Sequence, residues 1–325
     1  MATAPQAYLR TELEERRDRL HAALGGPGAD ASLANLLAQV DAALSRMDKN
    51  TYGVCTACHG KIEADRLLSE PLLQFCLDCL SQDEQRALEM DLGLAARIQE
   101  ALLPPNDLAP AGWKPRYHYE PARLVSGDYC DLLETRDSLL FLLGDVSGKG
   151  VAASMLMSHL HATFRSLADA QLPLEQMVNV ANRIFCESTL ASQYATLVVG
   201  QAACDGAIAL ISAGHLPLLH VHRAGANPIA ATGVPLGMFT DVHFPVQHLS
   251  LSPGDTLLLY TDGLTEAKNA RGEEYGIQRV QRLAARHHGS APEQLLSRCL
   301  ADLQEFSGGA KRADDLTILA LQRAA

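Results

Sequence analysis

Basic residues are scarce in this sequence: 27 lysines and arginines stand against 38 aspartates and glutamates, a formal charge of −11 over 325 residues. That deficit argues against nucleic acid as a direct partner, because phosphate binding needs a basic face. No apolar run reaches the roughly 18 residues needed to cross a bilayer, so no membrane partner is expected. The first residues, MATAPQAYLRTELEERRDRL, lack the apolar core of a secretory signal, which points to a cytoplasmic address. Stable disulfides are rare there, so the eight cysteines need another reading. Internal repeats and low-complexity tracts are absent as well. What remains is a globular chain, 47% hydrophobic and 20% charged, long enough for two or more domains.

Four of the cysteines fall in YGVCTACHGKIEADRLLSEPLLQFCLDC. They are Cys55, Cys58, Cys76 and Cys79, spaced C-x2-C-x17-C-x2-C. Taken alone, Cys55 to His59 reads C-x-x-C-H, the attachment signature of a c-type haem. Haem attachment follows export, and the second cysteine pair favours a metal instead. Four soft thiolates suit a closed, tetrahedral, structural Zn²⁺. His59 is then a neighbour without a role. The remaining Cys130, Cys186, Cys204 and Cys299 are scattered and read as buried free thiols.

Residues 5–24 carry Leu9, Leu13, Leu20 and Leu24 on one helical stripe. After the loop from Gly25 to Asp30, Leu33, Leu37, Val40, Leu44 and Met47 follow alternating spacings of four and three, an a/d seam. Two such helices make a hairpin over residues 1–50, and the cysteine module occupies 51–80. Ser81 and Glu84 fit a capping box for a third helix that must stop at Pro104-Pro105. Leu88, Leu92, Ala95, Ile98 and Leu102 give that helix, within 81–105, one apolar stripe that needs a partner, and a second copy of the chain is the expected one. Beyond it, short apolar runs such as LLFLLGDV, ATLVVG, AIALISAG, DTLLLYTDG and LTILALQ read as strands. Helical stretches near 150–168, 174–188 and 292–305 intervene, giving a mixed α/β domain over 106–325.

Four aspartates mark the ends or interiors of those strands: Asp128, Asp145, Asp262 and Asp314. If Arg136 and Asp137 form a two-residue hairpin turn, Thr135 pairs with Ser138, and counting back places Asp128 opposite Asp145. A bulge at Gly127 or Gly144 would shift this by one. Carboxylates directly opposite on a sheet repel, so such a pair shares a proton, holds a cation or stays exposed. Several aspartates with few histidines suit a hard cation, Mg²⁺ or Mn²⁺.

In order along the chain, GDYCD, GDVSGKG, SAGHLPLL, GVPLG, YTDGLTEA and DDLT resemble a SpoIIE-type serine phosphatase of the metal-dependent PPM superfamily. ARIQEALLPP is similar to the helix that precedes the catalytic domain in that family. Residues 1–80 resemble a DksA/TraR-type zinc finger. The resemblance implies an α/β fold, a two-sheet sandwich flanked by helices, preceded by the helical hairpin with its four-cysteine zinc finger. It also implies a centre of two Mn²⁺ or Mg²⁺ ions. Asp145 bridges both ions there, and the Val146 carbonyl binds one. Asp262 and Asp314 hold the second, and Asp128 acts through water. The substrate it implies is phosphoserine or phosphothreonine on a partner protein, often an anti-anti-sigma factor with a STAS fold. This sequence departs from the family pattern at Ser126, Cys130 and Ser212, and Lys149 stands where histidine is common.

Rival readings fare less well. GDVSGKG fails the P-loop spacing G-x4-G-K-[ST]. Cys130 and Arg136 are spaced as in thiol phosphatases, but the intervening DLLET has no glycine to cradle phosphate. His215 reads as a hydrogen-bonded histidine in a turn, with general acid as the alternative. Lys149 either steers phosphate or is solvated. A different class also stands open: a non-enzymatic transcription regulator binding RNA polymerase through the hairpin and zinc finger.

Overall fold

Strand β3 (Ser138–Val146) is apolar at nearly every position because both of its faces are covered. Leu139, Phe141 and Leu143 point into one buried cluster, Leu140 and Leu142 into another. This period-2 division organises the larger part of the molecule. The structure, a computed structural model, describes residues 4–24, 31–79, 82–170, 172–190, 192–310 and 312–324. The chain divides into two compact units, Met1–Asp91 and Leu92–Ala325.

The second unit holds two antiparallel five-stranded sheets. One has the order β1 (Trp113–Glu120), β10 (Leu316–Arg323), β9 (Thr256–Tyr260), β6 (Leu218–His222), β7 (Gly225–Ile229). The other runs β2 (Asp128–Glu134), β3, β4 (Ala195–Ala203), β5 (Ala207–Ala213), β8 (Gln247–Ser250). Between them lies a core of Leu132, Phe141, Val198, Leu210, Leu257 and Leu319, among others. Helices α5 (Val151–Asp169) and α6 (Leu174–Ser188) cover the β3 sheet through Met157, Phe164 and Phe185. Helices α8 (Ile277–Arg286) and α9 (Pro292–Ser307) cover the other through Val280, Leu295 and Leu303. The expected two-sheet sandwich flanked by helices is the observed architecture. An ion pair on a buried acid pins α5 down: Asp131 accepts from Arg165 Nε at 2.8 Å and from its terminal nitrogen at 2.7 Å.

In the first unit, α1 (Ala4–Leu24) and α2 (Ala31–Asp48) pack through Leu9, Leu13, Val40 and Leu44. The Arg46 side chain donates to the carbonyls of Leu72 and Leu73, and the Tyr52 hydroxyl to that of Pro71. The cysteine segment, with the short helix α3 (Ala64–Ser69), is thereby tied to the end of α2. The Gly25–Asp30 loop and the Ser81 cap lie outside the described residues.

Helix α4 (Gln82–Leu102) ends before Pro104 as expected, and the unit boundary falls inside it. Its stripe needs correction. Ile98 is 55% exposed, in line with the exposed Met90 and Leu94, while Gln99 beside it is buried. A polar side chain takes the inward position because it has backbone partners there. Of the scattered cysteines, Cys130 and Cys299 are buried, but Cys186 is half-buried and Cys204 exposed at a strand end. No helix among the described residues is long and apolar enough to cross a membrane.

Candidate active site

Asp128 pairs with Asp145 in register, with no bulge at Gly127 or Gly144. Thr135 N–H donates to the Ser138 carbonyl at 2.8 Å, closing the two-residue turn. Asp128 opens β2 and Asp145 is the penultimate residue of β3, so both lie at one end of that sheet. In the other sheet, Asp262 follows the end of β9 and starts the short helix α7 (Asp262–Thr265), and Asp314 precedes β10. β9 and β10 are antiparallel, so these two also share an end. The sandwich thus brings two acids from each sheet together.

The two sheets meet at Asp128, which is 1% exposed. Its Oδ2 accepts from Thr261 Oγ1 at 2.9 Å and Thr317 Oγ1 at 2.5 Å, both from the opposite sheet. Its backbone N–H donates to Ser126 Oγ at 3.0 Å. The departure at Ser126 therefore supplies a hydrogen bond that glycine cannot. Asp315, absent from the sequence reading, holds the approach to β2. Its two carboxylate oxygens accept from the N–H groups of Ala122 (2.7 Å) and Gly127 (3.0 Å). Gly263 is required by close approach: a Cβ there would meet the Asp315 carbonyl oxygen at 1.9 Å. Only glycine lets the turn bearing Asp262 lie against the chain bearing Asp314.

The electrostatics follow from this crowding. Burial, then Asp262, Asp314 and Asp315, push the Asp145 carboxyl up to about 7. Burial and Asp314 raise Asp262 to about 6. Asp128 is held well above the carboxylate range, chiefly by burial and then by Asp145. An acid cluster in this state is short of positive charge. The Lys149 ammonium donates to Asp314 Oδ2 at 2.7 Å and to the Ala313 carbonyl at 3.1 Å, so Lys149 is an ion-pair partner of the cluster and not simply solvated. The donor set, all hard oxygens, fits Mg²⁺ or Mn²⁺. Among the described residues these carboxylates do not close into a cage for one ion.

His215 takes the structural of its two expected roles. It is buried, its Nε2 donates to the Tyr260 carbonyl at 3.1 Å, and its Nδ1 accepts from Thr196 at 3.0 Å. Burial lowers it to about 4, so it stays neutral and joins β4, where Thr196 pairs with Asp145, to the end of β9. Cys130 is buried with its thiol pushed well up by burial, which removes it as a nucleophile.

The four cysteines form a separate cluster, their sulfurs all within 4.8 Å of one another. Backbone N–H groups of Cys58 and Cys76 lower the Cys55 thiol, and Gly60 N–H donates to Cys58 Sγ at 3.4 Å. His59 is exposed and has a positive φ of 59°, consistent with a turn residue and not a ligand.

The model of the Stage II sporulation protein E family matches residues 135–324, which include Asp145, Asp262 and Asp314. The chain belongs to the SpoIIE family. Protein IcfG of Synechocystis sp. is 28% identical over 272 residues, 74% of this chain and 42% of IcfG. The chain thus spans less than half of that relative's length. Phosphoserine phosphatase RsbU of Bacillus subtilis is 26% identical over 251 residues, 74% of this chain and 72% of RsbU. The solved SiaA-PP2C domain of Pseudomonas aeruginosa superposes with a TM-score of 0.66 at 20% identity, over 74% of this chain and 98% of that one, a likeness of fold. The matched residues lie within the second unit of the chain.

Proposed function

We propose that the chain is a Mn²⁺- or Mg²⁺-dependent protein phosphatase that hydrolyses phosphoserine or phosphothreonine on a regulatory partner protein, an anti-anti-sigma factor of STAS fold. The observation that carries this is the convergence of Asp128, Asp145, Asp262 and Asp314 at one end of the sandwich, with Asp145 and Asp262 raised to about 7 and about 6. Two bound cations would supply an activated water for in-line attack on phosphorus and neutralise phosphate oxygens. Asp145, the Val146 carbonyl, Asp262 and Asp314 would hold them. Asp128, fixed by Thr261 and Thr317, orients water beside the centre, and Asp315 keeps its strand in place. No side-chain nucleophile is needed, consistent with the buried, inert Cys130. The purified chain should hydrolyse p-nitrophenyl phosphate with Mn²⁺, and lose that activity in EDTA. Turnover that persists without divalent metal would remove this reading.

The first unit is assigned a sensory role, built on one structural Zn²⁺ at Cys55, Cys58, Cys76 and Cys79 in a zinc-finger module, with α4 as the connecting switch. Supporting this, Gln99 on α4 is bonded to the backbone of Ser126 in both directions: it donates to the carbonyl at 2.7 Å and accepts from the N–H at 2.9 Å. Ser126 in turn caps Asp128. The exposed line of Met90, Leu94 and Ile98, spaced by four, is the face offered to a second chain in a homodimer. Gln99→Leu keeps the helix but removes both bonds. It is expected to change kcat or Mn²⁺ affinity several-fold with no ligand altered; identical values in variant and parent would make α4 a tether only.

A further inference from the structure

The apolar surface of the catalytic unit is unevenly distributed. From Asp241 to the C-terminus no large apolar side chain is exposed among the described residues. Besides Leu94 and Ile98 on α4, Leu124 before β2 and Val234 after β7, six are exposed on three segments: Val151 and Met155 on the first turns of α5, Leu190 and Tyr194 before β4, Met238 and Phe239 after β7. Met155 is 67% exposed and Phe239 59%.

These segments are joined to one another and to the metal-site strand. Val146, the last residue of β3, pairs with Ala195. Ser147 N–H donates to the Tyr194 carbonyl at 2.8 Å, and Tyr194 N–H returns to Ser147 Oγ at 2.9 Å. Ala195 and Leu236 exchange both backbone hydrogen bonds, at 2.9 and 2.8 Å. The buried Asn182 side chain accepts from Gly237 N–H and donates to the Phe239 carbonyl, each at 2.9 Å. Gly237 has a φ of +87°, and a Cβ there would lie 2.7 Å from the Phe185 ring. The exposed side chains are therefore mounted on backbone held in place from below.

Exposed apolar side chains rich in methionine and aromatic rings, gathered on segments hydrogen-bonded to one another, mark a protein-binding site. The chemistry identifies the occupant. Only three bonds separate the phosphorus of a phosphoserine from its own Cα, so the partner's surface must rest on the ground immediately around Asp145 and Val146. We propose that these six residues form a docking ridge that receives apolar side chains flanking the phosphoserine of the substrate protein. The proposal rests on the phosphatase reading above and adds the substrate's surface chemistry to it.

The test uses the Mn²⁺-loaded full chain and two phosphoserine peptides of equal length. One carries leucine and phenylalanine on either side of the phosphoserine, the other serine and glutamine. The parent is expected to favour the apolar peptide by ~10-fold or more in kcat/KM, the scale of burying one or two such side chains. Met155→Glu and Phe239→Glu should each bring that ratio toward unity. Because the readout is a ratio, a uniform change in rate drops out. A parent ratio near unity with intact p-nitrophenyl phosphate hydrolysis overturns the ridge alone. So does a ratio unchanged in both variants, including the case in which they dissociate a dimer and so reveal a contact between copies. A parent inactive on peptides and p-nitrophenyl phosphate alike overturns the phosphatase reading and the ridge with it.

Discussion

Asp145→Asn should abolish phosphate-ester hydrolysis and, in the absence of metal, make the protein more stable. Asp145 sits where acids from both sheets converge, and the proposed mechanism gives it to both cations. Loss of residues that merely orient metal ligands already costs about 10–100-fold. Loss of a shared ligand is expected to cost on the order of 10³-fold or more. The stability effect follows from proton linkage. The folded, metal-free domain holds the Asp145 proton up to about pH 7, whereas an unfolded chain releases it near pH ~3.9. Between those values the folded state binds more protons, so its stability falls as pH rises. Asparagine does not ionise and escapes that loss. The metal-free variant should therefore melt a few degrees above the metal-free parent at pH 7.5, with little difference at pH 4. Near-normal turnover at saturating Mn²⁺ would sink the two-metal assignment. Equal melting temperatures at pH 7.5 would sink the account of the raised carboxyl.

The second large effect is expected from the cysteine cluster. Between Thr51 and Cys79 the regular structure amounts to the six-residue α3 and a 3-10 turn at Leu77–Cys79. Its buried side chains include Tyr52, Ile62 and Leu67, together with Cys55 and Cys76. So small a core does not offset the chain entropy of the segment. Structural zinc in comparable modules supplies about 10–16 kcal/mol. Elemental analysis should find about one zinc per chain. Releasing it with a thiol reagent should raise amide exchange across residues 51–79 by several orders of magnitude, while p-nitrophenyl phosphate hydrolysis in Mn²⁺ continues. Protein purified without zinc, or a Soret band after maturation with haem, would overturn the assignment.

How much of this was legible in the sequence depended on whether the signal was local. The Asp128–Asp145 register could be counted from a two-residue turn because nothing between turn and acids broke the ladder. Helices α5, α6 and α9 fall where helical stretches were expected, whereas α8 was not expected. Strand β1, WKPRYHYE, did not: it has a proline and charges, and only its pairing with β10 makes it a strand. β7 and β8, GANPI and QHLS, are short and held mainly by their neighbours. The supports of the site were hidden for the same reason. Thr261 and Thr317 lie 133 and 189 residues from Asp128, and no spacing rule connects them. For Asp315 the doubled aspartate was a signal, but it could not say which of the pair joins the acid cluster and which holds the backbone. Ile98 was placed on one stripe with Leu92 and Ala95, whereas the inward position of that turn belongs to Gln99, which has two backbone partners.

The turn at Arg136–Asp137 has a consequence for which changes in length the chain can accept. Surface turns made of polar residues ordinarily tolerate an inserted residue. Here the turn sets the phase of the whole β2–β3 ladder, and side chains alternate between faces along it. One residue added between Thr135 and Ser138, unless absorbed as a bulge, would slip the ladder by one step. It would carry Asp128 away from Thr261 and Thr317 and turn it toward α5, while Asp131 would lose Arg165. The acid pair would be dismantled with every acidic residue still in the sequence. The length of this exposed loop, at the far end of the hairpin from the chemistry, is as much a requirement for the site as the identity of its aspartates.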